Sequence, residues 1–317
     1  MRKGRITMQL FKMNPVFKDY IWGGTRLKDE YEKNTPFERT AESWEIAAHK
    51  NGESTVCGGE YDGKTINELA DIFGKQLLGD RIAEQGGRFP LLIKFIDAND
   101  NLSVQVHPDD DYAYRNENGE KGKTEMWYVM DAKEGAKLIY GFKQDITKQQ
   151  LESAIADNTL LDYVNFVECQ KGDSFFIPSG MLHAIGKGLM IAEIQQNSDT
   201  TYRVYDYDRR DANGNARELH VEKAKDVLNL KKSVHTPKHD IENGVLESCE
   251  FFTTEKITLK GEHDYTVDNR RFETLIVCEG NAEINGISCK KGDSLLVPAY
   301  VGNVKMSGNA VVLRSYI

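Results

Sequence analysis

Apolar positions recur along this chain with a period of two, or in short unbroken runs rich in β-branched and aromatic residues. Phe89–Ile96, Met126–Met130, Phe175–Ile177, Met190–Gln195, Thr274–Cys278 and Ala310–Leu313 all read this way. Period two is the repeat of a strand with one covered face, and a short continuous run fits a strand covered on both. Gly, Asp and Asn punctuate the runs. Helix signals are few. Thr65-Ile66-Asn67-Glu68 is a capping box opening a stripe of Ile66, Leu69, Phe73 and Leu77. Thr147-Lys148-Gln149-Gln150 opens a second, with Leu151, Ile155 and Leu161, and a third runs through Leu219, Ala224, Val227 and Leu228. Asp109–Lys121 carries no stripe and reads as a loop. The pattern predicts a mainly β chain with a few short peripheral helices. Lys231–Asp240 is polar and broken by Pro237, so it reads as a linker between residues 1–235 and 236–317.

An internal echo supports that division. Lys171-Gly172-Asp173-Ser174-Phe175-Phe176-Ile177-Pro178 returns as Lys291-Gly292-Asp293-Ser294-Leu295-Leu296-Val297-Pro298. Glu125 and Trp127–Met130 precede the first copy; Glu273 and Leu275–Cys278 precede the second. Such self-similarity marks a duplicated unit. Gly172, Pro178 and His183, spaced Gly-x5-Pro-x4-His, resemble the second sequence motif of cupins, which are jelly-roll barrels that often hold a metal in the lumen. The resemblance implies two cupin-like jelly-roll barrels. Asn303 stands at the His position of the second copy, and no His-x-His or Gln-x-His precedes Glu273. The 236–317 barrel is therefore expected to be degenerate and without metal.

The candidate chemistry lies in the first unit. Gln105 and His107 are two apart on a predicted strand and share a face. Glu125 opens the next strand, and His183 enters a later one after Pro178-Ser179-Gly180. Two imidazoles, a carboxylate and an amide form a nitrogen/oxygen set suited to a divalent metal with a position open for substrate. Taken singly, each His reads as a hydrogen-bonded barrel residue and Glu125 as a strand-edge charge; their joint placement favours a metal. Among the other histidines, His49 reads as structural, His220 as helix packing, and His235, His239 and His263 as solvated. Trp22, Trp44 and Trp127 could floor a sugar pocket, with barrel core as the default.

Composition narrows the classes of function. A net charge of −9 on 317 residues argues against a general nucleic-acid binder. No window holds the roughly 18 apolar residues of a membrane span. Five scattered cysteines without a C-x-x-C pair argue against a disulfide framework or zinc ribbon and fit a reducing cytoplasm. The basic start lacks an apolar core, so no signal peptide is expected, and residues 1–7 read as an extension before Met8. Oligomeric state is not set by these features; a monomer fits them.

More specific motifs then point one way. Leu102-Ser103-Val104-Gln105-Val106-His107-Pro108 resembles the signature of type I phosphomannose isomerases. Lys123-Thr124-Glu125 resembles that family's Lys-x-Glu, and the stretch from Glu193 through Ser198-Asp199 to Arg203 its Glu…Ser-Asp…Arg segment. Tyr20-Ile21-Trp22-Gly23-Gly24 and Glu42-Ser43-Trp44-Glu45 resemble its two Trp motifs. The likeness is strongest from Phe17 to Arg209 and matches the short bacterial form. It implies a zinc enzyme, one Zn²⁺ per chain, interconverting mannose 6-phosphate and fructose 6-phosphate. It places the metal on His107, Glu125, His183 and Gln105, ranked last, and catalysis on Arg203 and Lys123. Glu193 reads either as the proton carrier or as a buried group orienting Arg203 or a ligand. Substrate contacts are expected from Lys123, Arg203 and Trp22. An enediol route fits these residues, because a fixed cation and a metal stabilise its developing charge. Two alternatives stand beside it: an iron-dependent cupin oxygenase, which ordinarily has more imidazoles, and a non-catalytic sugar-phosphate-binding cupin.

Overall fold

A computed structural model of the chain describes residues 8–210 and 214–317; the expected extension at residues 1–7 lies outside them. Three antiparallel sheets form the frame. A seven-stranded sheet runs Ser174–Ile177, Glu125–Ala132, Leu189–Gln196, Leu91–Asp97, Glu42–His49 and Val16–Lys18, with Gly52–Glu53 paired to Glu42–His49. A five-stranded sheet runs Val164–Glu168, Lys137–Phe142, His183–Ile185, Val104–Val106 and Tyr202–Tyr205. Apolar side chains of both meet in one cluster: Ile96, Trp127, Val129, Phe175 and Ile191 from the first, Leu138, Tyr140 and Ile185 from the second. These two sheets are the walls of the first barrel, and that cluster plugs its floor.

Each wall is also covered outside. Leu151, Leu160, Ala224 and Leu228 pack on the outer face of the five-stranded sheet. The outer face of the seven-stranded sheet, with Ile93, Phe95, Met126 and Ile194, meets Ile66, Leu69, Phe73 and Leu77 and also Phe272, Ile276, Leu296 and Leu313 of the C-terminal sheet. All seven residues of Leu91–Asp97 are consequently buried, which is why Phe89–Ile96 reads as an unbroken apolar run.

The eight-stranded sheet carries the C-terminal strands Gly244–Ser248, Thr253–Thr266, Asn303–Tyr316, Glu273–Ile284, Ile287–Lys290 and Ser294–Val297. Its edge is completed by two strands from the other end of the chain, Phe11–Asn14 and Thr55–Val56. Phe11 pairs with Leu296 and Lys12 with Leu295, and Lys12 Nζ reaches Asp293 at 2.7 Å. A division at 235/236 thus leaves strands of the first part in the sheet of the second.

The sequence echo is a repeat in register. Ile177 pairs with Glu125, Phe175 with Trp127 and Ser174 with Tyr128; Val297 pairs with Glu273, Leu295 with Leu275 and Ser294 with Ile276. Even the covering segment recurs: Lys238 bridges to Ser174 in the first copy where Lys12 pairs beside Ser294 in the second. The expected linker is therefore partly tied down, with Lys232 bridged to Phe142 and His239 Nδ1 2.6 Å from Asp173. His239 is exposed, as expected, while making this contact.

The predicted helices form as Ile66–Phe73, Lys148–Ala156 and Val221–Val227. Both capping boxes close as expected, while Leu77 and Leu161 fall in the separate turns Lys75–Leu78 and Leu160–Asp162. The segment read as a loop contains the helix Asp110–Asn116, capped by Asp109 Oδ1 on Tyr112 N–H at 2.8 Å. It buries only Ala113, so local capping and three consecutive acids at its N-terminal end form it without an apolar stripe. Among the described residues no helix is long and apolar enough to cross a membrane.

Candidate metal centre and active site

His107 stands just past the end of Val104–Val106, Glu125 opens Glu125–Ala132, and His183 opens His183–Ile185. The first and third come from the five-stranded wall and the second from the seven-stranded wall, so the trio closes across the lumen. Local backbone sets the approach. Gly180, at φ 82°, turns the chain into His183; its N–H donates to His107 C=O at 2.8 Å, and a Cβ there would meet Val227 O at 2.9 Å. Gly122 brings the Lys123 segment against the helix start, where a Cβ would lie 2.4 Å from the Asp109 carbonyl carbon.

Three ligand atoms face each other. His107 Nε2 lies 3.1 Å from His183 Nε2, and the two lie 3.5 Å from Glu125 Oε2 and Oε1 respectively. Each imidazole has its other nitrogen at a backbone carbonyl, His107 Nδ1 at Thr200 O (2.9 Å) and His183 Nδ1 at Met181 O (2.8 Å). A carbonyl only accepts, so both Nδ1 atoms carry the proton and both Nε2 atoms present lone pairs. Neither Glu125 oxygen finds a directed hydrogen bond, though both are buried. Two imidazole lone pairs and a buried carboxylate converge on one point, where the nearest donor is the Lys123 ammonium, 2.7 Å from Glu125 Oε2 and 3.0 Å from His107 Nε2; a metal cation fits the same set of atoms. A tetrahedral zinc-type ion with bonds of about 2.0–2.1 Å would set its ligand atoms roughly 3.3 Å apart, and the spacings here bracket that value. The residues therefore fit a divalent metal.

The surrounding charges are buried too. Lys123 Nζ lies 2.7 Å from Glu125 Oε2, 3.0 Å from His107 Nε2 and 3.8 Å from Glu193 Oε1. Burial, then Lys123 and His183, hold the His107 imidazole well below its usual range; burial and Lys123 bring His183 down to about 3. Both are neutral and ready to ligate at physiological pH. Burial and the nearby Glu193 push the Glu125 carboxyl up. Burial also works to raise Glu193, but Lys123, Lys94 and the Trp127 indole outweigh it and hold it down. Two carboxylates near one another are thus driven apart in acidity.

The whole chain has close relatives. It is 42% identical over 326 residues to mannose-6-phosphate isomerase ManA of Bacillus subtilis (strain 168), an alignment covering 98% of this chain and 100% of that protein. Residues 10–135 match phosphomannose isomerase type I, catalytic domain, and residues 242–317 match mannose-6-phosphate isomerase, cupin domain. The chain belongs to the type I phosphomannose isomerase family. A mannose-6-phosphate isomerase of Streptococcus mutans is 41% identical over 97% of this chain and 98% of its own. The crystal structure of the Bacillus subtilis mannose 6-phosphate isomerase superposes with a TM-score of 0.88 at 37% identity, covering 98% of this chain and 100% of that one.

Within this phosphomannose isomerase, the expected residues are spread unevenly. His107, Glu125, His183, Lys123 and Glu193 form one contiguous cluster. Gln105 pairs through its backbone with His183 on one side and Arg203 on the other, which puts the three on one face of the sheet. Arg203 donates from Nη1 to Glu218 C=O at 2.7 Å, and its Nε is buried without a partner. The nearby Asp206 binds Arg209 and Arg217. Trp22 is 4% exposed and packs in the apolar floor, whereas Trp127 meets the His183 ring edge-on at 5.4 Å. His220 caps Val221–Val227, its Nδ1 accepting from Arg203 N–H at 3.1 Å.

Sequence reading passed over one charged residue here, Lys94. Lys94 Nζ lies 3.2 Å from Glu193 Oε1 and 3.6 Å from Glu42 Oε2. The signal was a lysine inside the run Leu91-Leu92-Ile93-Lys94-Phe95-Ile96, which a strand tolerates only with a buried counter-charge.

Proposed function

We propose that this chain interconverts mannose 6-phosphate and fructose 6-phosphate through an enediol, with one zinc ion held by His107, Glu125 and His183 and with Gln105 as a fourth ligand. The convergence of the His107 and His183 Nε2 lone pairs and the buried Glu125 carboxylate at tetrahedral spacing supports the metal part of this reading; family membership supports the reaction. His107, Glu125 and His183 would hold the zinc, which would supply positive charge to stabilise the negative charge that develops on the sugar oxygens. The chain's own residues do the rest. Glu193, ionised and lined by cations, takes the proton from C2 of the open-chain aldose. The O2 hydroxyl proton is lost as O1 gains one, and Glu193 returns the carbon-bound proton to C1, so no proton is gained or lost overall. Lys123 is placed to hold the negative charge that develops on the oxygens. Arg203, always protonated, stabilises that charge or clamps the phosphate but cannot serve as the base.

We also propose that residues 1–235 form the catalytic unit and 236–317 a second, non-catalytic cupin unit completed by Phe11–Asn14. A coupled assay of fructose 6-phosphate formation tests the reaction, and elemental analysis of the purified protein tests the metal. His183→Ala is expected to lose both metal and turnover. Iron with oxygen consumption would establish the oxygenase alternative, and intact metal without turnover the binding-module alternative.

A further inference from the structure

The lumen wall behind the metal-directed trio carries a row of side chains in register across four neighbouring strands. Trp44 pairs with Lys94, Lys94 with Glu193, and Glu193 with Trp127. Paired residues share a face of the sheet, so the order is indole, ammonium, carboxylate, indole. Each carboxylate near Lys94 is pinned by one indole: Trp127 Nε1 donates to Glu193 Oε2 at 2.9 Å, and Trp44 Nε1 to Glu42 Oε2 at 2.7 Å. Glu193 Oε1 is the free oxygen. It is buried, accepts no directed hydrogen bond, and faces Lys94 at 3.2 Å and Lys123 at 3.8 Å. Its lone pairs remain open to a proton.

We propose that Lys94 is a positioning residue for the isomerase reaction, its buried ammonium holding the Glu193 carboxylate ionised and in the single orientation from which Oε1 exchanges the proton with C2 and C1. This rests on the reading of Glu193 given above. Lys94 meets none of the three metal-directed side chains within ion-pair distance, so its effect is separable from metal binding. The groups that act electrostatically on the pair are Glu42, Asp199, Glu125, Tyr20, His49 and His107 on Lys94, and Lys123, Glu125 and His183 on Glu193, which also accepts from Trp127. Burial disfavours the charge on Lys94, but Glu42, Glu193, Asp199 and Glu125 outweigh it and raise the ammonium above its ordinary range. Lys94 therefore stays charged wherever the enzyme works, and it offsets the nearby Glu125 carboxyl, whose negative charge would otherwise favour protonation of Glu193.

The test compares Lys94→Met, which keeps the length and removes the charge, with Lys94→Arg, which keeps a cation. Metal content, melting temperature, kcat, KM and the pH profile of kcat are read for each with zinc-loaded protein and mannose 6-phosphate. Lys94→Met is expected to lower kcat by roughly 100-fold, within the range for a mis-set general base. It should change KM by less than about three-fold and move the acid limb of the profile to higher pH, with metal content as in the wild type. Lys94→Arg should restore most of kcat and the wild-type acid limb. A folded Lys94→Met with unchanged kcat and acid limb, or with a loss confined to KM, overturns the proposal. If Lys94→Met does not fold, Glu42→Gln decides, because it removes the competing carboxylate and keeps the Trp44 bond. The acid limb should then move to lower pH, and a fixed limb overturns the proposal. A wild-type protein that does not turn over mannose 6-phosphate would instead defeat the parent reading.

Discussion

At the level of single residues, the centre is built from groups whose ordinary ionisation burial has altered. His107 and His183 are held neutral by burial, whereas Glu125 is pushed toward its protonated form. In an unfolded chain the imidazoles protonate near pH 6.5 and the carboxyl near 4.3. Between those values, in metal-free protein, the unfolded chain binds two protons at these histidines and the folded chain one at Glu125. Stability from this trio therefore falls with falling pH, by about 1.4 kcal/mol per pH unit for the net single proton. Urea unfolding of metal-stripped protein at pH 6.5 and 5.5 measures it; a midpoint that rises on acidification would contradict the assignment. Arg203→Ala should keep the metal and lose most of kcat, as elemental analysis and the coupled assay would show, and near-normal kcat would remove Arg203 from the mechanism. The trio was legible because ligand types recur at motif spacing. Lys94 was not, because a single sequence does not reveal which face of a doubly covered strand a charge enters.

At the level of elements, one short helix governs the approach to the centre. Asp110 Oδ1 accepts from Gly122 N–H at 2.7 Å and Gln196 Nε2 at 3.0 Å, and Lys123 N–H donates to Pro108 C=O at 3.0 Å. These bonds join the helix start to the segment bearing Lys123 and Glu125. Asp110→Ala is expected to cost about 1–3 kcal/mol and to reduce kcat as well. Thr65→Ala, which removes the capping box of the remote helix Ile66–Phe73, should cost about 1 kcal/mol and leave kcat alone. Chemical denaturation with kinetics on both variants separates the two effects; equal losses of kcat would mean that the helix does not position the site. Capping boxes were readable from Thr65 and Thr147 because their bonds are local. Asp110–Asn116 was missed because it buries only Ala113 and so shows no apolar stripe, although its Asp109 cap is local.

At the level of the whole molecule, the two copies of the repeat diverge at one matched position. Glu193 pairs with Trp127 beside Glu125; in the second copy Arg314 pairs with Leu275 beside Glu273. Arg314 holds Glu273 with two bonds, at 2.8 and 2.5 Å. One copy sets two acids together and so calls for added cations; the other neutralises its buried acid internally. Arg314→Ala should destabilise the protein by about 3–5 kcal/mol, seen in thermal unfolding, while kcat of the folded fraction stays unchanged. A change in kcat would give the second copy a part in catalysis. The duplication could be seen in eight matched residues, but the pairing of Phe11–Asn14 with Ser294–Val297 could not, since no local pattern encodes a partner at the far end of the chain. That pairing also has a consequence in time. Phe11–Asn14 is synthesised long before its partner Ser294–Val297, so Phe11 and Lys12 wait with an open edge until Leu295 and Leu296 emerge from the ribosome. The growing chain must keep that edge from its neighbours on a polysome until the partner strand is made.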